Sequence, residues 1–267
     1  MSGSSHPQVA GLMYHEVTDD PKSSGFQRRG ALPYTLKRAA FNRHLDAIAS
    51  GPVKPELVTD IDFSRGGTHA RHVLLTFDDG GASALYVAEE LEKRGWRGQF
   101  FITTARLGER TFLKPPDIRA LRRAGHIVGS HSHTHPDIFR NLSAEMMSTE
   151  WRVSRAILES LLGEPCIAAS VPGGDISRAV LESVSDAGFR YLFTSEPTLQ
   201  PERVGGTWVL GRVIVKSSVS AAMIRELVAF RGWQRLQLWR RMAGWARSLS
   251  PSLYAQYVRL RTRERHS

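Results

Sequence analysis

Cysteine is almost absent: Cys166 is the only one in 267 residues, which excludes an internal disulfide. It stands beside Ile167 and Ala168 in an apolar, strand-like stretch and reads as a buried structural thiol rather than a nucleophile or ligand. No run of eighteen apolar residues occurs, which argues against a membrane-spanning helix. Residues 1–7 hold neither a basic n-region nor an apolar h-region, so no secretory signal is expected and the chain is read as cytoplasmic. No glycine-rich fingerprint follows a strand-like run, so a doubly wound nucleotide-binding sheet is the weaker of two α/β readings. There is no internal repeat. Histidine is missing from almost the whole second half, where only His266 follows His135.

A 41% hydrophobic content over this length suits one domain with a full core. Short apolar runs alternate with helical periodicity. Val9–Val17 reads as a strand, and Phe41, Leu45 and Ile48 mark a helix closed by Gly51. Ser83 is expected to cap a second helix, which stops at Gly95, and Gln99–Thr104 reads as a strand. Pro116 opens a helix that ends at Gly125, and Ser143 begins a long one running to Gly163. Cys166–Val171, a helix over Ile176–Ala187 and a strand at Tyr191–Ser195 complete the pattern. Strands separated by helices imply a parallel sheet with right-handed crossovers.

Two strings carry chemistry. Val73-Leu74-Leu75 leads into Thr76-Phe77-Asp78-Asp79-Gly80, so a buried strand delivers two adjacent carboxylates at its tip. Side chains alternate along a strand, so both acids reach one site only where the strand gives way to a turn, which Gly80-Gly81 supplies. One carboxylate can ligate a metal while the other stays free as a base. The second string, His131-Ser132-His133-Thr134-His135, follows another strand-like run. A helical turn there would place His131 and His135 on one face. One Asp with two His leaves coordination positions open, which suits a catalytic site more than a closed structural one. His126 reads as structural, and His133 could be a ligand in place of its neighbours.

Both strings resemble motifs of the polysaccharide deacetylases with the NodB homology domain, T-F-D-D-G and H-[S/T]-x-x-H, over a stretch from about 8 to 216. The resemblance implies a distorted (β/α) barrel of about seven parallel strands, with the site at the C-terminal ends of the strands. It implies Asp78 as general base and Asp79, His131 and His135 as ligands of one divalent metal. Zinc is the first expectation, and cobalt, nickel, manganese or iron would suit the same ligands. Ser132 would stabilise the ligand loop.

The departures from that family are informative. Its third motif, R-x-P-x-[G/F], is here Ser170-Val171-Pro172-Gly173-Gly174, so the arginine that orients the base is missing. The Pro172-Gly173-Gly174 turn is expected to offer backbone N–H groups to an oxyanion. Arg212 is the substitute for the missing arginine, against an equal reading as a solvent-facing strand residue. The family's C-terminal general-acid histidine is also absent. Leu12-Met13-Tyr14-His15 resembles that motif moved to the other end of the chain, as in the permuted poly-N-acetylglucosamine deacetylase branch. First and last strands are neighbours in a closed barrel, so His15 is assigned as general acid, the alternative being a packed structural histidine. Glu196 reads as a solvated loop acid.

Residues 217–267 form a helical extension with ten arginines, two glutamates and no lysine or aspartate, carrying +8 of the formal +10. Trp233, Trp239 and Trp245 fall there, and Ile224, Val228, Leu236, Trp239, Met242, Ala243 and Ala246 follow one helical stripe on which Arg225 and Arg235 intrude. Ser250-Pro251 reads as the start of another helix. Such a tail, over 221–265, suits the anionic inner face of a membrane, and packing onto the barrel is the competing reading. No groove-reading or base-stacking motif accompanies the charge, so nucleic acid is not expected. The expectation is a metal-dependent N-deacetylase for an N-acetylated glycan. A catalytically impaired glycan-binding protein is the alternative, and an iron oxygenase site a third reading that the spare acid Asp78 argues against.

Overall fold

The computed structural model describes residues 7–63, 70–174 and 176–249. In chain order the first elements are β1 (Gln8–Tyr14), β2 (Glu16–Val17), β3 (Thr35–Leu36), α1 (Arg38–Ala49), β4 (Pro55–Glu56) and β5 (Arg71–Phe77). Then come α2 (Ala84–Glu92), β6 (Gln99–Ile102), α3 (Pro115–Arg123), β7 (Ile127–Ser130), α4 (Ala144–Leu162) and β8 (Ala168–Ser170). The chain continues through α5 (Arg178–Asp186), β9 (Tyr191–Phe193), β10 (Glu202–Val204), β11 (Thr207–Leu210), β12 (Arg212–Ile214), α6 (Ala221–Val228) and α7 (Trp233–Leu249).

The main sheet runs β10-β11-β9-β8-β7-β6-β5-β1-β12, parallel except for the β10–β11 pair. β11 and β12 are one chain segment interrupted at Gly211. Its first half pairs with β9 and its second half with β1, so the segment bridges the two edges and closes a seven-stranded barrel. A side chain at 211 would run into the Glu196 carbonyl, so only glycine permits that crossing.

Alternation along the strands separates two apolar layers. Val73, Leu75 and Phe77 of β5 face the surrounding helices, while Leu74 joins Val9, Phe101, Ile127, Phe193 and Leu210 inside the barrel. Val58, Ile61 and Phe63 join that interior cluster. The helices present matching stripes. In α4, Met147, Trp151, Ser154 and Leu158 are buried at helical spacing, Ser143 caps the start by accepting from Met146 N–H, and Gly163 ends it in the left-handed conformation. Trp151 packs 4.7 Å from the Phe139 ring, and truncating so large a buried side chain costs about 3–5 kcal/mol.

Two helical expectations are corrected. The 131–135 segment is a loop, with Ser132 at φ 62° and His135 at φ 59°, so a sharp reversal rather than a helical turn brings the imidazoles together. Ser83 stands at the start of α2 but gives no capping bond, because its hydroxyl donates to Glu16 and accepts from Val17 N–H.

The C-terminal stripe is not one helix. Phe230 at φ 61° and Gly232 at φ 81° break it into α6 and α7. Ile224, Leu227, Val228 and Trp233 belong to the main core, so the apolar side of 221–233 packs on the barrel. Trp239 and Met242 are exposed. The side chains of Ala243 and Ala246, and the helix expected from Ser250, lie outside the described residues.

Candidate active site

β5 carries Leu74, Thr76 and then Asp78 up the inner wall of the barrel, and Asp79 follows in the left-handed region at φ 77°. That conformation turns the second acid into the same mouth as the first, which regular strand alternation forbids. Gly80, at φ 80°, completes the turn.

Asp78 is buried and held by an unusually complete set of donors. Arg212 Nη1 reaches its Oδ1 at 2.7 Å and Nη2 its Oδ2 at 2.9 Å, and the Ser170 hydroxyl donates to Oδ2 at 2.8 Å. The remaining guanidinium donors go to Thr76 Oγ1 at 2.9 Å, Ser170 Oγ at 2.7 Å and the Thr194 carbonyl at 3.0 Å. All five N–H groups of Arg212 are thereby used, and the side chain is fully buried between the Phe101 and Phe193 rings. Arg212 thus fills the place opposite Asp78 that Ser170 leaves, and the solvent-facing reading of it is wrong. Burial alone would raise the Asp78 carboxyl, but Arg212 and His131 outweigh it and hold the group below the ordinary range.

Gly11 makes this reach possible. It is Arg212's register partner across β1 and β12, and a Cβ there would stand 2.8 Å from Arg212 Cγ.

Asp79, His131 and His135 converge so that one donor atom from each lies within 4.8 Å of the others. His131 Nδ1 donates to the Ser170 carbonyl at 3.0 Å, which orients the ring with Nε2 toward Asp79. His131 Nε2 stands 3.4 Å and His135 Nε2 3.6 Å from Asp79 Oδ1, too long for good hydrogen bonds. Two ligands about 2.1 Å from a tetrahedral ion stand about 3.4 Å apart, so the spacing fits a shared divalent cation. Burial and the neighbouring His131 push the His135 imidazole down to about 4, keeping it neutral as a ligand must be. Burial acts against the charged form of Asp79 too, but the surrounding imidazoles hold it well below the carboxylate range.

His15 lies between β1 and β2, with its ring 4.8 Å from Tyr34 and its Nδ1 sealed in the protein without a partner. Burial draws its pKa down, opposed by the charges of Asp79 and Asp78. Tyr14 is the register partner of Phe77 and its carbonyl accepts from Asp78 N–H at 3.0 Å, so His15 and the acid pair leave adjacent parallel strands at the same end of the barrel.

The Pro172-Gly173-Gly174 turn offers less than expected. Proline has no N–H and Gly174 N–H is spent on the Val171 carbonyl at 3.3 Å, so at most the Gly173 amide remains for an oxyanion. Glu196 is not a free loop acid, since its Oε1 accepts from Arg240 Nε at 3.0 Å. His133 bonds to Thr104 Oγ1 at 2.9 Å, away from the ligand cluster, and fully buried His126 accepts from Gly98 N–H at 3.1 Å. Cys166 is buried and its thiol is pushed up to about 12 by that burial, as an inert residue's would be.

Other residues of the site carry no local sequence signal. Glu150, on α4, accepts from the backbone N–H groups of His133 and Thr134 at 2.8 Å each and from the Thr134 hydroxyl at 2.6 Å, clamping the histidine loop. Within that loop Ser132 takes the part expected of it from the sequence, its Oγ accepting from His135 N–H at 3.1 Å. Phe26 lays its ring 4.9 Å from His135. Glu16 is buried behind the site with its Oε2 accepting from Ser24 and Ser83, and burial pushes it up to about 7.

Barrel, acid pair and paired histidines define a class, and comparison with known proteins agrees. Residues 65–192, a little under half of the chain, match the family described as polysaccharide deacetylase. Among curated proteins it is similar to the peptidoglycan-N-acetylmuramic acid deacetylase PdaA of Bacillus subtilis, 27% identical over 135 residues that make up 50% of each protein. The match thus spans about half the length of that relative. Among solved structures it is similar to the Streptococcus pyogenes deacetylase PplD, with TM-score 0.70 and 18% identity over 84% of this chain and 99% of that one. It is similar as well to IcaB from Ammonifex degensii, with TM-score 0.68 and 20% identity over 84% and 97% of the two chains. Identities this low show a shared fold.

Proposed function

We propose that this protein is a metal-dependent hydrolase that removes the N-acetyl group from an amino sugar of a surface polysaccharide or of its lipid-linked precursor. The observation that carries the reading is the juxtaposition of two buried acids with different partners: Asp79 faces two imidazoles, and Asp78 faces an arginine fork. A divalent metal held by Asp79, His131 and His135, zinc first among the candidates, would polarise the amide carbonyl and lower the pKa of a bound water.

Asp78, kept ionised and fixed by Arg212 and Ser170, accepts the proton of the attacking water. His15 donates a proton to the departing amine. The products are a free amino sugar and acetate. The peptidoglycan deacetylase named above supports a carbohydrate amide as substrate. The arginine excess beyond residue 217 supports a place beside an anionic surface, at the cytoplasmic face of a membrane.

The test is acetate release across a panel of N-acetylated oligosaccharides and glycolipids, with and without a chelator. Release that stops on chelation and returns with one divalent ion supports the reading. Metal binding and glycan binding without acetate release would instead favour an impaired, glycan-binding member of the family.

A further inference from the structure

Among its described residues, helix α7 is fastened on one side. Trp233 is buried and donates from Nε1 to the Leu227 carbonyl at 3.0 Å, and Leu236 packs on the main core. Arg240 donates from Nε to Glu196 and from Nη2 to the Gly174 carbonyl and Ser195 Oγ, both at 3.1 Å. Gly174 follows β8, and Ser195 and Glu196 follow β9, so these contacts pin the helix to the end of the barrel where Asp78 and His131 emerge.

Residues 233, 236 and 240 share a face at helical spacing, which puts 238, 239 and 242 on the opposite one. Leu238, Trp239 and Met242 are accordingly 60%, 68% and 49% exposed, a contiguous apolar patch pointing away from the protein. Leu32, also exposed, sits two residues before Tyr34, the ring that packs on His15. α7 carries four arginines and no acid. The nearest acid on the neighbouring helix, Glu226, is paired with Arg231 at 2.7 Å.

We propose that the outward face of α7 inserts into an anionic lipid bilayer beside the catalytic mouth, so that the enzyme acts on an N-acetylated sugar carried on a lipid. The inference rests on the deacetylase reading for the chemistry alone. Charge selects the occupant: Arg235 is the charged residue among those described on this face and the helix holds no acid, so a second copy would set arginine against arginine, whereas acidic headgroups supply the missing counter-charge. A Trp-Leu-Met patch with the exposed Arg235 on the same helical face is also a composition that lies at a headgroup boundary. The tether is narrower than the whole tail, because α6 belongs to the core.

The experiment uses the full chain. Sedimentation with vesicles of phosphatidylglycerol in phosphatidylcholine, and of phosphatidylcholine alone, is measured at low and high salt for wild type and for Leu238→Ser/Trp239→Ser. Acetate release is measured in parallel from a soluble N-acetylated oligomer and from an N-acetylated glycolipid in the same vesicles. Wild type should bind the anionic vesicles, less as salt rises, and the double variant about tenfold more weakly. The ratio of glycolipid to soluble activity should fall with it.

An intact protein that stays in solution with anionic vesicles at low salt overturns the proposal, as does a double variant that binds equally well. So does a dimer that this variant dissociates, or shielding of Trp239 from iodide quencher in the lipid-free monomer, which would show that the chain's own residues cover the face. Vesicle binding without acetate from either substrate defeats the deacetylase reading alone. Acetate from the soluble oligomer without vesicle binding defeats this inference alone.

Discussion

Replacing Arg212 by methionine keeps much of the side-chain volume and removes every donor. The change strands Asp78, a carboxylate that loses its two guanidinium contacts at 2.7 and 2.9 Å and keeps only the Ser170 hydroxyl. Thr76 and the Thr194 carbonyl also lose a partner. Breaking a buried ion pair by removing one member costs about 3–5 kcal/mol, because the remaining charge is desolvated and unpaired. For a domain of this size that corresponds to a fall in Tm of about 10 °C or more. With burial no longer opposed by Arg212, the Asp78 pKa rises, so the acid limb of the kcat/KM profile should move to higher pH. Activity should fall about a hundredfold at neutral pH through loss of the positioned base.

Arg212→Lys should not rescue, since a point charge cannot serve acceptors arranged for a planar fork. Adding Asp78→Asn to Arg212→Met should recover part of the lost stability, because it removes the uncompensated charge. Thermal melts in the presence of chelator and pH–rate profiles of the metal-loaded protein are the assays. An Arg212→Met protein within about 1 kcal/mol of wild type, with an unmoved acid limb, would refute the reasoning.

Glu16 gives a pH-dependent prediction. Its carboxyl sits near 7 in the folded protein against an ordinary 4.5, so between those values the folded state holds a proton that the unfolded chain releases, and its contribution to stability declines as pH rises. Glu16→Gln should therefore gain on wild type by up to about 3 kcal/mol between pH 4 and pH 8 in urea midpoints, and an equal difference at both ends would refute it. Glu150→Ala frees two loop amides and should weaken metal affinity about 10–100-fold by competitive chelation, while Glu150→Gln retains an acceptor and loses less. Asp79→Ala and His135→Ala should each abolish stoichiometric metal by elemental analysis, and full occupancy in either would remove that residue from the site.

The barrel was legible because each buried strand is a short apolar run closed by a turn residue, and because the acid pair interrupts one of them at its tip. The loop geometry of the histidines was not, since the spacing of His131 and His135 also fits a helix and the deciding contact comes from Glu150 on a distant element. Arg212 was half legible: charge statistics leave it neutral between core and solvent. Gly11, an unexplained glycine in the middle of an apolar strand, was the signal that another side chain comes close. The C-terminal stripe misled because hydrophobic spacing runs unbroken through Phe230-Arg231-Gly232, where the backbone in fact turns. Glu196 was misread for a related reason, its partner Arg240 lying 44 residues along the chain.

The most direct test of the account sets Asp78→Asn against Asp79→Ala, with metal content and acetate release measured on the same preparations. Adjacent acids with separate tasks should fail separately. Asp78→Asn should hold wild-type metal and lose nearly all acetate release, while Asp79→Ala should lose the metal and the activity together. Acetate release by Asp78→Asn at the wild-type rate, or loss of metal from it, would contradict the division of labour on which the proposed function stands.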